Sequence, residues 1–333
     1  MNMSQADNSP VFVLGSARSG TTLVYSMLLA SGMFAVYEAE TMLFEVCRPK
    51  YGSLRKERNF RRFMDDWTES KQFSRSKLDA DEFTRGAEGH RGSYAEFLEF
   101  FMSSIARKQG KNRWAEQTPG HVFYMDRLSR EFPGAKFIHV VRDGRDVALS
   151  KRKLGWSGSR NVDPLKTLIW GGIGWEMSVL KGRASGRNIG RNYMEIRYED
   201  LVTNLDGALE KISEFIEIEI RRSRLLDCDI GSLRRGNSAF SDTTEGISTK
   251  GVNRWKAQLS KKEVGTLNVA IGNTLEEFGY EVDDDGSRFG SVSAWRVAGY
   301  STWCRAFLRA KKILREKTVF GRFTSMSIEI GMK

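Results

Sequence analysis

The sequence predicts an α/β fold in three layers, with a mostly parallel central sheet flanked by helices. Short apolar segments of the kind that form buried strands alternate with longer amphipathic segments between residues 10 and 280. The first apolar segment passes through a glycine-rich loop into a helix, and a later one runs directly into another helix. Such alternation favours parallel strands, because each helix returns the chain to the start of the next strand.

The composition of the 333 residues excludes several classes of protein. A hydrophobic share of 40% and a charged share of 29% are typical of globular proteins. Cys47, Cys228 and Cys304 are odd in number and far apart, so we expect neither a disulfide framework nor a metal site. The first residues resemble no signal peptide, and no run of about 18 apolar residues occurs. We therefore expect a cytoplasmic protein, attached at most to a membrane surface.

The first strand, loop and helix have the form of a phosphate-binding unit. Residues 10–15 (PVFVLG) predict a buried strand, and residues 21–31 predict a helix that ends at Gly32. The intervening GSARSGTTL has the G-x-x-x-x-G spacing of a P-loop, although Thr21 replaces the usual lysine and Arg18 lies in the middle. Such a loop directs backbone N–H groups and the positive end of a helix dipole at an anion. We therefore expect a P-loop type fold.

A helical insert is predicted after the second strand. FAVY at residues 34–37 predicts that strand, which is followed by two carboxylates, Glu38 and Glu40. A polar, basic and irregular segment comes next, and a clear amphipathic helix follows it, so the insert covers about residues 48–110. Its helices are predicted near residues 56–69, 79–85 and 93–110.

The strand after the insert ends in a cation. KFIHVV at residues 136–141 predicts a buried strand that continues into RDGRDVALS, which places Arg142 at its end. ATPases usually have an acid at this place, which helps to hold Mg²⁺. A cation there would repel a metal and attract a second anion, so the sequence predicts two bound anionic groups and no metal. Further elements are predicted at residues 192–201 (a strand that ends in a turn), 205–215 (helix) and 260–278 (helix).

Four segments, in the same order, resemble motifs of the sulfotransferases that use 3′-phosphoadenosine 5′-phosphosulfate (PAPS), and they look closest to the branch with tyrosylprotein and many bacterial sulfotransferases. GSARSGTTL is similar to the family's 5′-phosphosulfate loop, and FIHVVRDGRDVALS is similar to its 3′-phosphate motif. IRYEDLV resembles the segment near the adenine pocket, and KGVNRWKAQLS resembles a late basic segment. The matches cover roughly residues 10–280, and their common order is more specific than any one motif.

The resemblance implies a role for each matching position. The residues that would bind PAPS, or its product adenosine 3′,5′-bisphosphate, are Arg18, Ser19, Gly20, Thr21, Thr22, Arg142, Ser150, Tyr198, Lys250 and Gly251. The loop residues would hold the 5′-phosphosulfate, and Arg142 and Ser150 would hold the 3′-phosphate. Lys250 and Gly251 would close over the phosphates. Tyr198 would lie beside the adenine, with a core aromatic that contacts no ligand as the alternative.

The resemblance also implies a glutamate base and an acceptor side. In the tyrosylprotein branch, a glutamate just after the second strand takes the acceptor proton; Glu40 fits this context best, and Glu38 is the close competitor. Arg18 would stabilise charge during transfer. Gln117 stands where many relatives have the lysine of a Lys-Thr-Pro sequence, so it offers a hydrogen bond without a charge. Gln117 and His121 are candidates for the acceptor site.

Other polar and aromatic residues near these motifs are interpreted as structural. Asp146 is expected to cap its helix or to form a local salt bridge, and Arg145 is expected to have a structural role. His139 lies inside an apolar strand and is interpreted as a core histidine with satisfied hydrogen bonds. Trp170 and Trp175 are interpreted as core residues.

Residues 285–333 are predicted to form an extension of a sulfotransferase domain that covers residues 1–284. Residues 291–333 contain nine Lys and Arg against two acids, which leaves only +4 of the net charge of +11 for the rest of the chain. This uneven distribution argues against a nucleic-acid partner. Residues 294–317 alternate basic and apolar side chains, as helices on anionic membranes do. The alternative is a helix that packs on the domain or on the partner in a homodimer.

The predicted function is metal-free transfer of a sulfuryl group from PAPS to a hydroxyl group of a carbohydrate, a lipid or a small metabolite. A P-loop kinase or NTPase is the first alternative, and a non-catalytic protein that binds nucleotide or membrane is the second. The missing loop lysine and the cation Arg142 disfavour the kinase.

Overall fold

The centre of the molecule is a five-stranded sheet in the order β2-β3-β1-β4-β5, in which all neighbouring strands are parallel. The computed structural model describes residues 9–155, 163–227, 247–282, 291–318 and 320–321. The strands are β1 (Val11–Gly15), β2 (Phe34–Ala35), β3 (Arg113–Gln117), β4 (Lys136–Val141) and β5 (Tyr193–Arg197). The predicted α/β fold with a mostly parallel sheet is thus confirmed.

Helices make up most of the remaining described structure. They are α1 (Thr21–Ala30), α2 (Arg48–Tyr51), α3 (Glu57–Thr68), α4 (Lys71–Ser76), α5 (Ala80–Ala87), α6 (Tyr94–Lys108), α7 (Met125–Glu131), α8 (Gly144–Lys153), α9 (Pro164–Ile189), α10 (Tyr198–Thr203), α11 (Leu205–Ile216), α12 (Arg222–Asp227), α13 (Arg254–Gln258), α14 (Lys261–Glu277) and α15 (Ser291–Lys317). A π-helical turn at Leu43–Cys47 and 3₁₀ turns at Glu88–His90, Pro119–Tyr124, Gly190–Asn192 and Thr249–Gly251 connect them.

The alternation of side chains along β1 separates the two faces of the sheet. Phe12 and Leu14 pack into a core with the helical insert, whereas Val11 and Val13 pack into a second core with α1, α10, α11 and α12. A third core joins α8 and α9 to α13, α14 and α15. Because successive residues of a strand point to opposite faces, a strand of five buried residues has helices on both sides.

The register of the sheet brings the carboxyl ends of the strands to one edge. Gly15 of β1 pairs with Val140 of β4, and Val141 pairs with Arg197 of β5. Val13 pairs with Gln117 at the end of β3. The segments that follow these strands therefore lie side by side, at the edge where open α/β sheets bind their ligands.

The insert is more ordered than its polar sequence predicts. Helices α3 and α5 confirm the helices predicted near residues 56–69 and 79–85. Helices α2 and α4 and the 3₁₀ turn at Glu88–His90 add further order to a segment that was expected to be irregular between them. Their apolar side chains form an aromatic core; the ring centroids of Phe63 and Phe97 are 4.8 Å apart, and those of Trp67 and Phe101 are 5.2 Å apart. The many cations of this stretch lie on the outer faces of short amphipathic helices. They give the sequence a polar composition, although its apolar residues form a core.

Strand β3 is absent from the sequence-based prediction. Its residues, RWAEQ, include two charges, yet all five are buried. The charges have partners elsewhere in the chain: the guanidinium of Arg113 lies 5.1 Å from the Phe34 ring centroid, and Glu116 accepts a hydrogen bond from Thr41. A buried strand with charges violates the apolar pattern on which strand prediction depends.

Some sequence-based expectations fall outside the described residues, namely those on Cys228 and on the domain boundary near residue 284. In the described part of the chain, no helix combines the length and hydropathy needed to cross a membrane. The same residues contain no group of three or more His, Cys, Asp or Glu side chains that could hold a metal ion.

Candidate active site

The loop between β1 and α1 has a backbone shape that depends on glycine. At Gly15, where φ is +153°, a Cβ would lie 2.4 Å from the carbonyl oxygen of Val140 in the neighbouring strand. At Gly20, where φ is +97°, a Cβ would lie 2.4 Å from Cδ2 of Tyr198. Between them Arg18 has a left-handed backbone with φ of 76°, which is uncommon for a residue with a side chain. The loop therefore passes close to β4 and to Tyr198 in a fixed conformation.

Helix α1 begins directly at the end of this loop, with Gly20 in front of its first residue. Thr21 and Thr22 occupy the first turn, and the N–H groups of a first turn have no partner within their own helix. The buried Oγ of Ser19 has no hydrogen-bond partner among the described residues. The loop thus offers several donors at the carboxyl edge of the sheet.

Residues from three separate predicted motifs meet beside the loop. Arg18 Nε donates a hydrogen bond of 3.1 Å to Ser150 Oγ in α8. Arg142, at the end of β4, donates through Nη1 to the carbonyl oxygen of Arg18 at 3.1 Å and through Nη2 to that of Gly251. Its guanidinium carbon is also 4.3 Å from the ring centroid of Tyr198. Five of the predicted PAPS-binding residues therefore form one cluster.

Arg254, the first residue of α13, adds a third guanidinium that sequence reasoning missed. Burial lowers the pKa of Arg18, and the positive charges of Arg142 and Arg254 lower it further. Burial and Arg142 likewise lower the pKa of Arg254. Three mutually repelling cations in a partly buried place favour the binding of an anion. Arg254 lies four residues after Lys250 in KGVNRWK, so its place in that motif was the available signal.

The unpartnered polar atoms around this cluster fit an oxygen-rich ligand. Within the described residues, the buried atoms Arg142 Nε, Arg254 Nε and Tyr198 OH have no hydrogen-bond partner. Buried polar groups of proteins are normally paired, and guanidinium nitrogens can only donate. A ligand that brings phosphate or sulfate oxygens would provide the missing acceptors, which is the chemistry that PAPS offers.

Other residues of the α8 segment hold the cluster in place. Asp143, not Asp146, caps α8, because its carboxylate accepts a hydrogen bond of 2.8 Å from the N–H of Arg145. The N-cap alternative for Asp146 is therefore wrong; this buried carboxylate accepts a 2.9 Å bond from the N–H of Trp255 and so joins α8 to α13. Arg145 pairs with Asp143 and lies 3.7 Å from the Trp255 ring centroid, which is the structural role expected for it.

Tyr198 forms a buried wall between two glycines. A Cβ at Gly20 would contact one edge of its ring, and a Cβ at Gly251 would lie 2.4 Å from its hydroxyl oxygen. The side chain is almost fully buried and belongs to the core that contains α1. The core alternative therefore describes its packing, while its hydroxyl lacks a partner among the described residues. Lys250, in contrast, is exposed on the 3₁₀ turn that carries Gly251.

Lys151 is a second cation that sequence reasoning missed. Its Nζ donates a 3.1 Å hydrogen bond to Ser16 Oγ, at the start of the loop. Desolvation by burial lowers the pKa of this lysine to about 8. A Cβ at Gly174 of α9 would lie 3.7 Å from Nζ, an ordinary van der Waals distance, so the ammonium group lies next to α9. No family motif points to Lys151; its adjacency to Ser150 was the only signal.

The candidate acceptor side starts at the end of β3. Gln117 Nε2 donates a 3.1 Å hydrogen bond to Thr21 Oγ1, so the residue in place of the family lysine touches the loop. Beside it, buried Glu116 accepts from Thr41 Oγ1 at 2.8 Å and lies 2.9 Å from Nδ1 of buried His121. Sequence reasoning missed Glu116, because it gave no reason to expect a carboxylate inside a strand.

His121 and Glu116 form a buried ion pair. Burial alone would lower the pKa of His121, but the charge and hydrogen bond of Glu116 raise it above its ordinary value. Burial alone would raise the pKa of Glu116, but His121 and the hydroxyls of Thr118 and Thr41 lower it. His121 Nε2 is fully buried and has no hydrogen-bond partner among the described residues.

The two candidate bases face different surroundings. The negative charge of Glu40 partly opposes the lowering of the Arg18 pKa by burial, and it adds to the effect of Glu116 in raising the pKa of His121. Glu40 is therefore within electrostatic reach of both the loop and the acceptor side. Glu38 lies 3.8 Å from Nη1 of Arg75, a residue of the insert. This difference favours Glu40 as the base and leaves its role a prediction.

Two further expectations on core residues have mixed outcomes. Trp175 is buried, and its Nε1 donates to the carbonyl oxygen of Arg142 at 2.8 Å. Trp170 is only partly buried and donates to Tyr300 OH at 2.8 Å. His139 is buried, and Nδ1 lies 2.8 Å from Tyr193 OH, but within the described residues Nε2 has no partner. The expectation of a fully satisfied histidine is therefore wrong.

The parallel sheet, the glycine loop and the three guanidinium groups define an α/β protein with a site for the anionic groups of a ligand. A family model described as "Sulfotransferase family" matches residues 10–222 of the sequence, so the chain belongs to the sulfotransferase family. The resemblance to this family is thereby confirmed, and three of the four motifs lie within the matched residues, whereas KGVNRWKAQLS lies beyond them. Membership makes the chain a transferase whose reaction class is sulfuryl transfer.

Comparisons with individual proteins agree with this family. A Caenorhabditis briggsae protein named "Putative protein-tyrosine sulfotransferase" is 22% identical over 280 residues, which are 81% of this chain and 89% of the relative. The sulfotransferase domain from the Synechococcus PCC 7002 olefin synthase has a TM-score of 0.54 at 18% identity and covers 85% of this chain and 99% of that domain. The sulfotransferase domain from the curacin biosynthetic pathway has a TM-score of 0.52 at 18% identity, covering 82% and 98%. At these identities, the two structures support the fold alone.

Proposed function

We propose that the protein transfers a sulfuryl group from PAPS to an acceptor hydroxyl, with Glu40 as the base and without a metal ion. The observation that carries this proposal is the convergence of Arg18, Arg142 and Arg254, from three distant segments, beside the glycine loop. PAPS has two separate anionic groups, a 5′-phosphosulfate and a 3′-phosphate. A loop at a helix start and a cluster of guanidiniums are suited to two such groups.

The assignment of residues to the two groups follows from their positions. Thr21 and Thr22, at the start of α1, would hold the 5′-phosphosulfate together with Arg18. Arg142 and Ser150 would hold the 3′-phosphate, and Arg254 adds charge to the same region. When bound, PAPS supplies an activated sulfuryl group.

The chain's own residues then provide positioning and proton removal. Arg18 would stabilise negative charge on the departing phosphate, because its guanidinium lies at the loop. Glu40 would accept the proton of the acceptor hydroxyl, since its charge acts on both Arg18 and His121. The ionised His121–Glu116 pair would orient the acceptor through the unpartnered Nε2.

Lys151 offers an answer to the missing lysine of the Lys-Thr-Pro motif. Gln117 brings no charge, whereas Lys151 Nζ reaches Ser16 at the beginning of the same loop from α8. We propose that Lys151 provides the positive charge that the family lysine provides in relatives. The substitution would move the cation from the β3 side of the loop to the α8 side.

The acceptor is proposed by class only. The proposed classes are a hydroxyl of a carbohydrate, a lipid or a small metabolite, and the name of the Caenorhabditis briggsae relative adds a protein tyrosine to the classes worth testing. Kinase or NTPase activity remains the alternative outcome of the test below. A cytoplasmic location stays a prediction.

Calorimetric titration with adenosine 3′,5′-bisphosphate tests the donor site. The wild type should bind this nucleotide at least about 100-fold more tightly than adenosine 5′-phosphate, which lacks the 3′-phosphate and its charge-assisted bonds. Arg142→Gln should lose most of that preference while it still binds adenosine 5′-phosphate.

The matched control is Arg152→Gln, which removes an arginine of the following helix, α8, that pairs with Glu263 rather than with the cluster. This variant should keep the wild-type preference. Equal affinity of the wild type for both nucleotides, or Mg²⁺-dependent turnover of ATP, would contradict the proposal.

A further inference from the structure

The C-terminal helix α15 is firmly attached to the domain by one face. Cys304 and Ser301 are buried, and Leu308 packs against the core that contains α9 and α14. Arg305 donates to both carboxylate oxygens of Glu176 in α9, at 2.6 and 3.0 Å. These contacts fix the rotation of the helix about its axis, so its outer face is defined.

The outer face of α15 is rich in exposed apolar side chains. The largest are Trp295, Trp303, Phe307, Ile313 and Leu314; Trp303 and Phe307 are about half exposed, because each also contacts the ring of Trp170 in α9. Trp295 is 79% exposed, and Leu314 is 48% exposed. Trp295 and Trp303 are eight residues apart, Trp303 and Phe307 four, and Phe307 and Leu314 seven, and these spacings place the side chains on one side of a helix. Scattered apolar residues on a surface are ordinary, but a continuous stripe along one helix marks an interaction site.

Cations border this stripe, and acids are almost absent from it. Arg296, Arg309, Lys311 and Lys317 are exposed along the helix. Glu316 is the only acid between residues 291 and 317, and it accepts a 2.8 Å hydrogen bond from Tyr124 OH on the packed side. The outer face therefore combines apolar area with a positive charge that faces solvent.

The apolar area and positive charge of this face fit an anionic lipid surface better than a second copy of the chain. A second copy of the chain would bring the same basic stripe against itself, because a two-fold dimer buries the same patch of both subunits. An anionic lipid surface complements both features, since it accepts tryptophan and leucine at the depth of its headgroups and attracts Lys and Arg. The 27 residues of α15 would lie along about 40 Å of that surface.

We propose that the outer face of α15 docks the protein onto anionic membranes. The same helix contacts the segment that bears His121: Lys312 Nζ lies 4.2 Å from the ring centroid of Phe123, and Tyr124 bonds to Glu316. These contacts lie on the packed side of α15, so docking of the outer face would leave them in place. The proposal concerns binding and holds whether or not PAPS is the donor.

Flotation of the full chain with vesicles tests this proposal. At 0.1 M salt, the wild type should bind vesicles of 30% phosphatidylglycerol in phosphatidylcholine and bind pure phosphatidylcholine far more weakly. Trp295→Glu with Leu314→Glu should weaken binding to the anionic vesicles on the order of 100-fold, because two apolar anchors are lost. Arg309→Gln with Lys311→Gln should weaken it about 30-fold.

Matched controls test whether binding depends on the outer face of α15 or on the total charge and apolar surface of the protein. Lys56→Gln with Arg58→Gln removes the same charge from an exposed part of the insert, and Met33→Glu replaces an apolar residue that is 48% exposed elsewhere. Both controls should bind as the wild type does. Circular dichroism and urea unfolding should show all variants folded.

Three results would overturn the proposal. The first is equal vesicle binding by the wild type and the α15 variants, and the second is no vesicle binding by the wild type. The third is a wild-type dimer in sedimentation that Trp295→Glu with Leu314→Glu converts to a monomer, because a second copy would then occupy this face. Nucleotide titrations of the same variants keep this test distinct from that of the donor site.

Discussion

Lys151 brings a cation to the start of the glycine loop from α8, the helix that also carries Ser150. Its bond to Ser16 Oγ and its lowered pKa both follow from its partly buried position between the loop and α9. Gln117 on the other side of the loop carries no charge. Lys151 contacts the loop through Ser16, so it can supply the positive charge that Gln117 lacks.

The predicted result is a pH dependence that disappears with the lysine. Above about pH 8 the ammonium loses its proton, so kcat/KM of the wild type should fall about tenfold per pH unit. Lys151→Arg keeps the charge and should move this limb to higher pH. Lys151→Gln should be about 10- to 100-fold slower at pH 7 and lack the limb.

The free energy of unfolding should rise over the pH range in which kcat/KM falls. The folded pKa of Lys151 lies below the unfolded value of about 10.4, so the cost of burying the charge is fully present below pH 8. Stability should therefore rise between pH 8 and about 10.4 in the wild type, by more than in Lys151→Gln. A pH–rate limb that persists in Lys151→Gln would refute the assignment.

At this scale, the sequence predicts the residues that belong to motifs and misses those that act from outside them. Arg18, Arg142 and Ser150 were expected, and they contact the same small region. Arg254 and Lys151 were not expected to take part. A side chain belongs to a site when the fold places it close to the other residues of that site. The sequence alone predicts this proximity only for residues within a known motif.

Among the elements, the first turn of α10 and the 3₁₀ turn at Thr249–Gly251 share one close contact. The ring of Tyr198 fills the space between Gly20 and Gly251 and cannot move away, because it is buried and lies against Arg142. The two glycines thus let the loop and the 3₁₀ turn approach the same ring.

We expect Gly251→Ala to destabilise the protein by about 1–3 kcal/mol, as overpacking does. The added Cβ would lie 2.4 Å from the hydroxyl oxygen of Tyr198. Tyr198→Phe removes that oxygen, so the double variant should recover part of the loss, with a coupling of at least about 0.5 kcal/mol. Urea unfolding of the four proteins measures the cycle.

Gly89→Ala is the matched control, because a Cβ there would meet no atom within 4 Å. It should leave the urea midpoint unchanged or raise it slightly. If Gly251→Ala unfolds at the wild-type midpoint, the turn does not lie against Tyr198 as described.

Strands and helices were predictable where their apolar residues follow one regular spacing. The strand predicted at residues 136–141 is β4, and the helix predicted from Ser260 is α14, whose capping box with Glu263 is present. Strand β3 was missed, because Arg113 and Glu116 are buried by virtue of partners that lie far away in sequence. Tertiary pairing of charges overrides the local pattern in such a case.

At the scale of the whole molecule, the insert and the sheet share one core. Phe12 of β1 packs against Trp114 of β3, with ring centroids 5.7 Å apart, and against Phe137 of β4 at 5.3 Å. The same cluster of buried residues extends through the helices of the insert to Trp67 and Phe101. The candidate acceptor side lies where the insert meets the sheet, which explains why Glu38 and Glu40 have different neighbours.

The central claim is metal-free sulfuryl transfer with Glu40 as the base, and the direct measurement is transfer of ³⁵S-labelled sulfate from PAPS to a panel of acceptors in the presence of EDTA. The panel should contain sugars, lipids, small phenols and tyrosine peptides. We expect the wild type to label one class and Glu38→Gln to label it at nearly the same rate. Glu40→Gln should be at least about 100-fold slower with unchanged affinity for adenosine 3′,5′-bisphosphate. Wild-type transfer by Glu40→Gln, or transfer that stops when EDTA removes metal ions, would contradict the account.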